Sequence, residues 1–373
     1  MTQTILHSEP SISDAPQSYD PSCVQHFNPL DDPRWRQFLD QHPRASVFHS
    51  SAWLDAIRRT FGHQPQAATT TPAGVPLRNA LVYFRIESWL TGRRLVSLPF
   101  SDHCDPLLDR PNDLPILLNA LQDQLNRECF RFAEIRPAQA LDFGSARVQP
   151  TQAYCFHEIA LNPNLDTLFH NFHKSSTQRV IRRAEREGLQ YAEGQSDSLL
   201  NSFFNLMLGM RRRHLTLPHP KKWFRNLIQT FGPALKIRVA LYRDTPIASI
   251  LTLRFKSTLV YKYGASDPRY HRFGGMHLLY WQAIQEAKRD SLATFDLGRS
   301  DLDDSGLITF KEHWGARRFP LTYYRLTGES PLSQQSPKLG DAGWPSRLAK
   351  RVLPLLPDRV LCSVSKAASR HLG

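Results

Sequence analysis

The stretch Leu259–Asp301, LVYKYGASDPRYHRFGGMHLLYWQAIQEAKRDSLATFDLGRSD, decides the fold because the spacing of its apolar residues changes within it. At first the period is two. Leu259, Tyr261, Tyr263 and Ala265 are expected on one side of a strand, with Val260, Lys262 and Gly264 on the other. From Met276 the spacing becomes three and four. Met276, Leu279, Tyr280, Ala283, Ile284 and Ala287 form an apolar helical stripe, and Gln282, Gln285, Glu286, Lys288 and Arg289 take the opposite face. A further strand is predicted over Ala293–Arg299. Gly274 and Gly275 open the helix directly after Arg269, His271 and Arg272. Unpaired amides at a helix start, together with two arginines, attract an anion such as a pyrophosphate, and glycine lets it approach the backbone. The same glycines also suit a turn that needs their backbone angles, with the arginines solvated.

Upstream, strands are predicted at Leu235–Tyr242 and Ile247–Phe255, after a helix ending at Thr230, Phe231 and Gly232. The order occurs once before. A helix from Ser51 ends at Thr60, Phe61 and Gly62, strands follow at Leu77–Ile86 and Arg94–Leu98, and a helix at Leu114–Arg127 precedes a strand at Phe130–Ile135. In this reading FRFAEIR, Phe130–Arg136, is answered by ATFDLGR, Ala293–Arg299. The second set lies about 163 to 170 residues after the first, which points to a duplicated α/β domain. Each copy is a mostly antiparallel sheet flanked by helices. The divisions expected are a tail over 1–22, a first domain over 23–160, a second over 161–328 that carries the glycine-opened helix, and a polar linker with a basic tail over 329–373.

Composition narrows the class of protein. The chain has 373 residues, 41% apolar and 22% charged, in the range of a soluble globular protein of two domains. Its 47 Lys and Arg against 34 Asp and Glu favour a polyanionic partner, whether RNA, a phosphorylated cofactor or an anionic membrane. The five cysteines are scattered without a C-x-x-C pair, which argues against a disulfide framework or a cysteine metal site. No apolar run reaches about 18 residues and the start lacks a signal-peptide pattern, so a cytoplasmic protein is expected.

The helix between the copies, HNFHKSSTQRVIRRAEREGLQ, puts Arg179, Arg182, Arg183 and Arg186 on one face, spaced for a phosphate backbone or for water alone. Ser175 and Gln178 have capping-box spacing, and Gly188 can close the helix. The C-terminal segment mixes Leu and Val with Arg and Lys, a composition able to rest on the inner face of an anionic membrane or to pack on its own domain.

The glycine-opened helix, the arginine helix HKSSTQRVIRRAEREGL and the segment GLITFKEHWGA together resemble the FemAB-like branch of the GNAT acyltransferase superfamily, including its BioF2-like acetyltransferase and exosortase-associated members. The resemblance spans about residues 25–326. It implies two tandem GNAT-like domains and an acyltransferase moving either a group other than an amino-acyl one or an aminoacyl group. The acceptor it implies is an amine of a cell-envelope precursor, such as a peptidoglycan or exopolysaccharide intermediate. It implies no tightly bound cofactor and no metal, with acyl-CoA or aminoacyl-tRNA as co-substrate. Arg272, Gly274 and Gly275 fall on the phosphate turn, one residue shorter than the family's R-x-x-G-x-G/A, with Arg269 and Met276 beside them. Lys311 falls on the family's lysine, suited to an oxyanion, and Trp314 on its second aromatic. Tyr263, Asp267, Asp296 and Asp301 are candidates for proton handling, and Asp102, His103 and Asp105 for the acceptor pocket. Arg179, Arg182, Arg183 and Arg186 become candidate tRNA contacts. The competing reading is a non-catalytic GNAT-fold scaffold docking to membrane or RNA.

Overall fold

The computed structural model describes residues 24–88, 92–144 and 147–329, so the tail expected over 1–22 and the segment 330–373 lie outside the described residues. The first half runs β1 (Gln25–Phe27), α1 (Arg34–Gln41), α2 (Ser51–Phe61), β2 (Pro65–Thr69), β3 (Leu81–Ser88), β4 (Gly92–Ser97), α3 (Asp113–Arg127), β5 (Phe132–Ile135) and β6 (Val148–Ala160). The second runs α4 (Leu165–Asn171), α5 (Arg179–Arg186), β7 (Gln190–Gly194), α6 (Asp197–Arg213), α7 (Lys221–Phe231), β8 (Leu235–Tyr242), β9 (Thr245–Phe255), β10 (Thr258–Ser266), α8 (Gly275–Arg289), β11 (Thr294–Asp301), α9 (Ser305–Glu312) and β12 (Arg317–Thr327). The series α2 to β5 thus repeats as α7 to β11.

Among the described residues all strands join one sheet in the order β1-β2-β3-β4-β5-β12-β6-β11-β10-β9-β8-β7. Read from either edge inward, the two copies match, with one exchange at the middle. β6 ends the first half in sequence but pairs with β11 of the second, and β12 ends the second half but pairs with β5 of the first. β6 and β12 then pair antiparallel with each other along ten rungs. The stretches 23–160 and 161–328 therefore share one sheet, each lending its last strand to the other.

Strand residues divide between the faces by alternation. Val82, Phe84, Val96, Ile237, Val239, Leu251 and Val260 face one continuous core with Trp53 of α2 and Trp223 of α7, whose rings meet at 5.3 Å. On the other face, Leu81, Leu95, Ala133 and Ile135 lie under α3. Leu259, Phe295 and Leu297 lie under α8 in a separate core. Burial of these faces is the main stabilising term of such a fold.

Four local expectations change. β10 does not alternate throughout: its ladder with β9 steps from Tyr261↔Thr252 to Tyr263↔Leu251, so Lys262 is the extra residue of a bulge. Leu259 and Tyr261 face α8, whereas Tyr263 and Ala265 join Val260 in the opposite core. The repeat aligns one residue differently in its last strand, because Phe295 answers Ala133 and Leu297 answers Ile135; a slip of one would reverse every face. The strand expected from Leu77 starts at Leu81. The capping box of Ser175 and Gln178 is absent: α5 is entered through a turn capped by His173, while Gln178 donates to the carbonyls of His170 and Phe172.

Candidate active site at the parting of two strands

β10 and β11 run parallel, and their pairing ends at Val260↔Asp296 although β10 continues to Ser266 and β11 to Asp301. Two bulges drive them apart. One is at Lys262. The other is on β11, where the ladder with β6 steps from Asp296↔Glu158 to Arg299↔Phe156. Gly298 sits in this second bulge at φ +72, a left-handed conformation that glycine adopts without strain. A Cβ on Gly298 would stand 3.2 Å from Asp102 Oδ2 and 3.3 Å from the Tyr261 carbonyl. Gly298 thus marks the parting of β10 and β11, here called the window, with Asp102 beside it.

On the helix side of the window lies a cavity of about 310 Å³, lined by Ile247, Ala248, Tyr261, Tyr280, Phe310 and the first residues of α8. The amides of Gly275, Met276 and His277 precede the first helical bond, Leu278 N–H to the Gly274 carbonyl, so α8 opens onto the cavity with its positive end. Packing also demands the glycines. Gly274 has φ +79, and a Cβ there would meet Val180 of α5 at 2.7 Å, while one on Gly275 would meet Ala248 and Ile247 at 3.1 Å. This geometry satisfies the turn reading of the pair.

On the opposite side the β10 bulge sets Lys262 and Tyr263 on one face. Lys262 Nζ donates to Asp102 Oδ1 at 2.9 Å and stands 5.0 Å from the Phe48 ring and 5.6 Å from those of Trp53 and Tyr263. Burial alone would raise the Asp102 carboxyl, but Lys262 and Arg299 outweigh it and hold Asp102 below the usual carboxylate range. Burial lowers the Lys262 ammonium, with Asp102 opposing. His103 Nε2 lies 3.5 Å from Asp296 Oδ2, and the Gly298 amide donates to Asp296 Oδ1 at 2.7 Å. Burial pulls His103 down, yet the Asp296 contact and the nearby Asp105 and Asp102 leave it above its ordinary value. Tyr323 donates its hydroxyl to the Asp102 carbonyl at 2.6 Å and receives Arg299 at 2.8 Å.

The expected site residues divide between this centre and its surroundings. Asp102 and His103 are brought to it by the loop after β4. Asp105 lies further back, accepting from the Ala138 amide at 2.8 Å and paired with Arg44 at 3.0 Å. Lys311 is buried behind β11, its ammonium donating to the carbonyls of Gly298 at 2.8 Å and Arg299 at 3.1 Å; burial pushes it down to about 8. Tyr263 accepts from Trp223 Nε1 at 2.9 Å within the core. Trp314 is wholly buried, with its ring 5.7 Å from His277 of the cavity wall. Asp267 caps the turn before α8 and is paired with Arg269 at 2.6 Å, so these two charges meet each other at the rim. Arg272 is exposed and lies 4.7 Å from the Phe273 ring. Asp301 is exposed at the end of β11. Arg179, Arg182 and Arg186 are exposed on α5, whereas Arg183 turns inward. Sequence reasoning does not single out Lys262, Arg299 or Tyr323 as site residues; a strand lysine flanked by two tyrosines is the signal that marks the first of them. Among the described residues, no group of three His, Cys, Asp or Glu could hold a metal.

A parallel strand pair that parts beside a helix start, occurring in a duplicated and strand-exchanged frame, defines a tandem GNAT fold. Residues 172–312 match the family model of the acetyltransferase (GNAT) domain, so the second half carries a GNAT acyltransferase domain, and the FemAB-like resemblance is borne out. The solved structure of FemX is similar at 15% identity and a TM-score of 0.65, covering 83% of this chain and 98% of FemX. L-PGS from Bacillus licheniformis is similar at 15% identity and a TM-score of 0.50 over 86% of this chain and 98% of its own. A tandem GNAT protein from the clavulanic acid biosynthesis pathway follows at 11% and 0.50, covering 83% and 99%. These likenesses are of fold. No curated protein matches the chain in sequence. Among the described residues no helix is long and apolar enough to cross a membrane.

Proposed function

We propose that the chain is an N-acyltransferase whose donor is an acyl-CoA and whose acceptor is a primary amine on a cell-envelope or polysaccharide precursor. The observation that supports this most is the parting of β10 and β11 at Gly298, with an apolar cavity under the positive end of α8 on the Tyr261 side and the Asp102 carboxylate beside Gly298. In this reading the pyrophosphate lies at the amides of Gly275, Met276 and His277, with Arg272 and Arg269 at the rim. The pantetheine arm passes through the cavity and brings the thioester to the window. The amine attacks the thioester carbonyl, Asp102 takes the amine's proton, and the tetrahedral intermediate expels coenzyme A thiolate. Lys311 has one ammonium N–H beyond its two carbonyl bonds and supplies positive charge beside the developing oxyanion. Tyr263 and Trp314 act through packing, and Asp267 holds the turn before α8 through Arg269. The envelope acceptor rests on the FemAB-like resemblance.

Calorimetry with coenzyme A tests the donor: binding at one site per chain is expected, and Met276→Glu, which sets a carboxylate at the open end of α8, should abolish it. Absence of binding to the unaltered protein refutes it. Acetyl-CoA turnover then separates an enzyme from a scaffold. A second donor, aminoacyl-tRNA, is favoured by exposed Arg179, Arg182 and Arg186 beside the entrance. Three phosphate contacts would give a log–log salt slope of about −2 to −3 for tRNA binding, lost in the triple alanine variant; a flat salt response dismisses this donor.

A further inference from the structure

The bulge in β10 does more than open the cleft. An unbulged strand would send Lys262 and Tyr263 to opposite faces; the extra residue puts both on the face that meets the first half of the chain. Lys262 thereby enters an aromatic enclosure of Phe48, Trp53 and Tyr263, two of whose rings come from the other half. Its ammonium meets one oxygen of Asp102, Oδ1 at 2.9 Å, while the other, Oδ2, is the atom that a Cβ on Gly298 would meet first, at 3.2 Å. Asp102 is held at its second end by the Tyr323 hydroxyl on its carbonyl. A carboxylate fixed at one oxygen and presented at the other is oriented for work at the presented one.

We propose that Lys262 is a positioning residue for the transfer: it aims Asp102 Oδ2 at the window and so makes one active centre from the two halves. The inference rests on the acyl-transfer reading. Lys311, bound to carbonyls of β11, keeps the bulge in shape from behind, and the two lysines divide the labour between the faces of the sheet. The other charged and titratable groups facing Asp102 are Tyr261 and Tyr263 on β10, Asp296 and Arg299 on β11, Tyr323 on β12, Lys311 on α9 and His103 of its own loop. Of these, Arg299 is shared with Tyr323 and Tyr154, which leaves Lys262 as the cation in direct contact.

The test uses Lys262→Met, which keeps the side-chain length, and Lys262→Arg, which keeps the charge. Thiol release from acetyl-CoA is followed with glycinamide as the amine. For Lys262→Met the expected result is a fall in kcat of about 100-fold with the KM for acetyl-CoA unchanged. The base must be ionised to act, so activity rises with pH through the Asp102 titration; losing the cation moves that acidic limb upward by about one pH unit or more. Lys262→Arg restores both. An ion pair with only a structural part would lower the melting temperature and leave the limb where it was, and an unmoved limb in folded Lys262→Met overturns the inference. Carbon-13 titration of the aspartate carboxyls, with Asp102 assigned through Asp102→Asn, reads the same shift without turnover. If the unaltered protein releases no thiol, the acyl-transfer reading fails and the positioning role fails with it, whereas normal turnover with an unmoved Asp102 overturns the inference alone.

Discussion

Replacing Gly298 by alanine tests the window with one methyl group. Gly298 has φ +72, and a non-glycine residue in that region costs about 1–2 kcal/mol. The new Cβ would stand 3.2 Å from Asp102 Oδ2 and 3.3 Å from the Tyr261 carbonyl, so Asp102 or β10 must give by a few tenths of an ångström. Asp102 resists because Lys262 and Tyr323 hold it. At no more than about 2–4 °C per kcal/mol for a chain of more than about 250 residues, the melting temperature should fall by at most about 2–8 °C, leaving the fold intact at 25 °C. Activity should fall much further, because the methyl pushes Asp102 Oδ2 or the Tyr261 carbonyl aside; a misplacement of about 1 Å at a reacting centre costs about 100-fold. Gly188 supplies the control. It has φ +67, and a Cβ there would meet nothing within 4 Å, so Gly188→Ala carries the same backbone cost away from the site. Differential scanning fluorimetry and acetyl-CoA turnover on both variants decide the matter. Equal activity in Gly298→Ala and Gly188→Ala would refute the window.

Lys311 is pushed down to about 8 by burial, so the folded protein releases this proton before the unfolded chain does, and stability should rise as pH climbs from about 8 toward the ordinary lysine value near 10.5. Thermal melts of Lys311→Met between pH 7 and 10.5 should lack that rise, and a rise that persists assigns it to another group. His103 lies above its ordinary value through Asp296, so its contribution is full below about pH 6.5 and is lost as pH increases through the raised value. Asp296→Asn should flatten that part of the melting profile, and an unchanged profile from pH 5 to 8 would count against the pair. Native mass spectrometry should find one coenzyme A per chain, since β4 and β5 of the first half stay paired where β10 and β11 part, and two would contradict this.

The halves differ in how openly the sequence discloses them. β10, α8 and β11 were legible because the period of their apolar residues changes from two to three and four and back at Gly275 and Arg289, and their bounds follow that change closely. β6 and β12 were not. Residues 149–153 of β6 are exposed in succession, and β12 opens with Arg317 and Arg318, so neither presents the alternation that marks a half-buried strand. Both lie at the centre of the sheet, where their hydrogen bonds come from the opposite copy, and a long-range exchange leaves no local signature. The bulge at Lys262 was hidden for a related reason: alternation in sequence continues through a bulge, while alternation in space does not. Asp102 and His103 were legible as a polar loop, but their partners Lys262 and Asp296 lie more than 150 residues away, and only the fold joins them.

The duplicated frame also explains why a single centre results. In the first half, β4 and β5 stay paired to their ends, Ser97↔Ile135, and Arg136 stands one residue past Ile135 as Gly298 stands one past Leu297. Where Gly298 leaves a gap, the Arg136 guanidinium crosses it, donating to the Leu98 carbonyl at 2.8 Å and to Glu134 at 2.7 Å. Its own carbonyl accepts the Cys104 amide at 2.6 Å, closing the end of the strand pair. The helix that follows β4 opens with Asp113 instead of glycine, an acid that satisfies the helix dipole itself and repels a phosphate. The first half is therefore closed as a donor site on both counts, at the strands and at the helix. The loop anchored by that closure, from Leu98 to Asp105, is what carries Asp102 and His103 across to Gly298 and Asp296. One copy holds the opening and the other fills it with the groups the opening needs. Arg136 donates to the carbonyls of Leu98 and Ser101, the residue before Asp102, so Arg136→Met should shift Asp102 and lower acetyl-CoA turnover, and unchanged turnover would contradict that link.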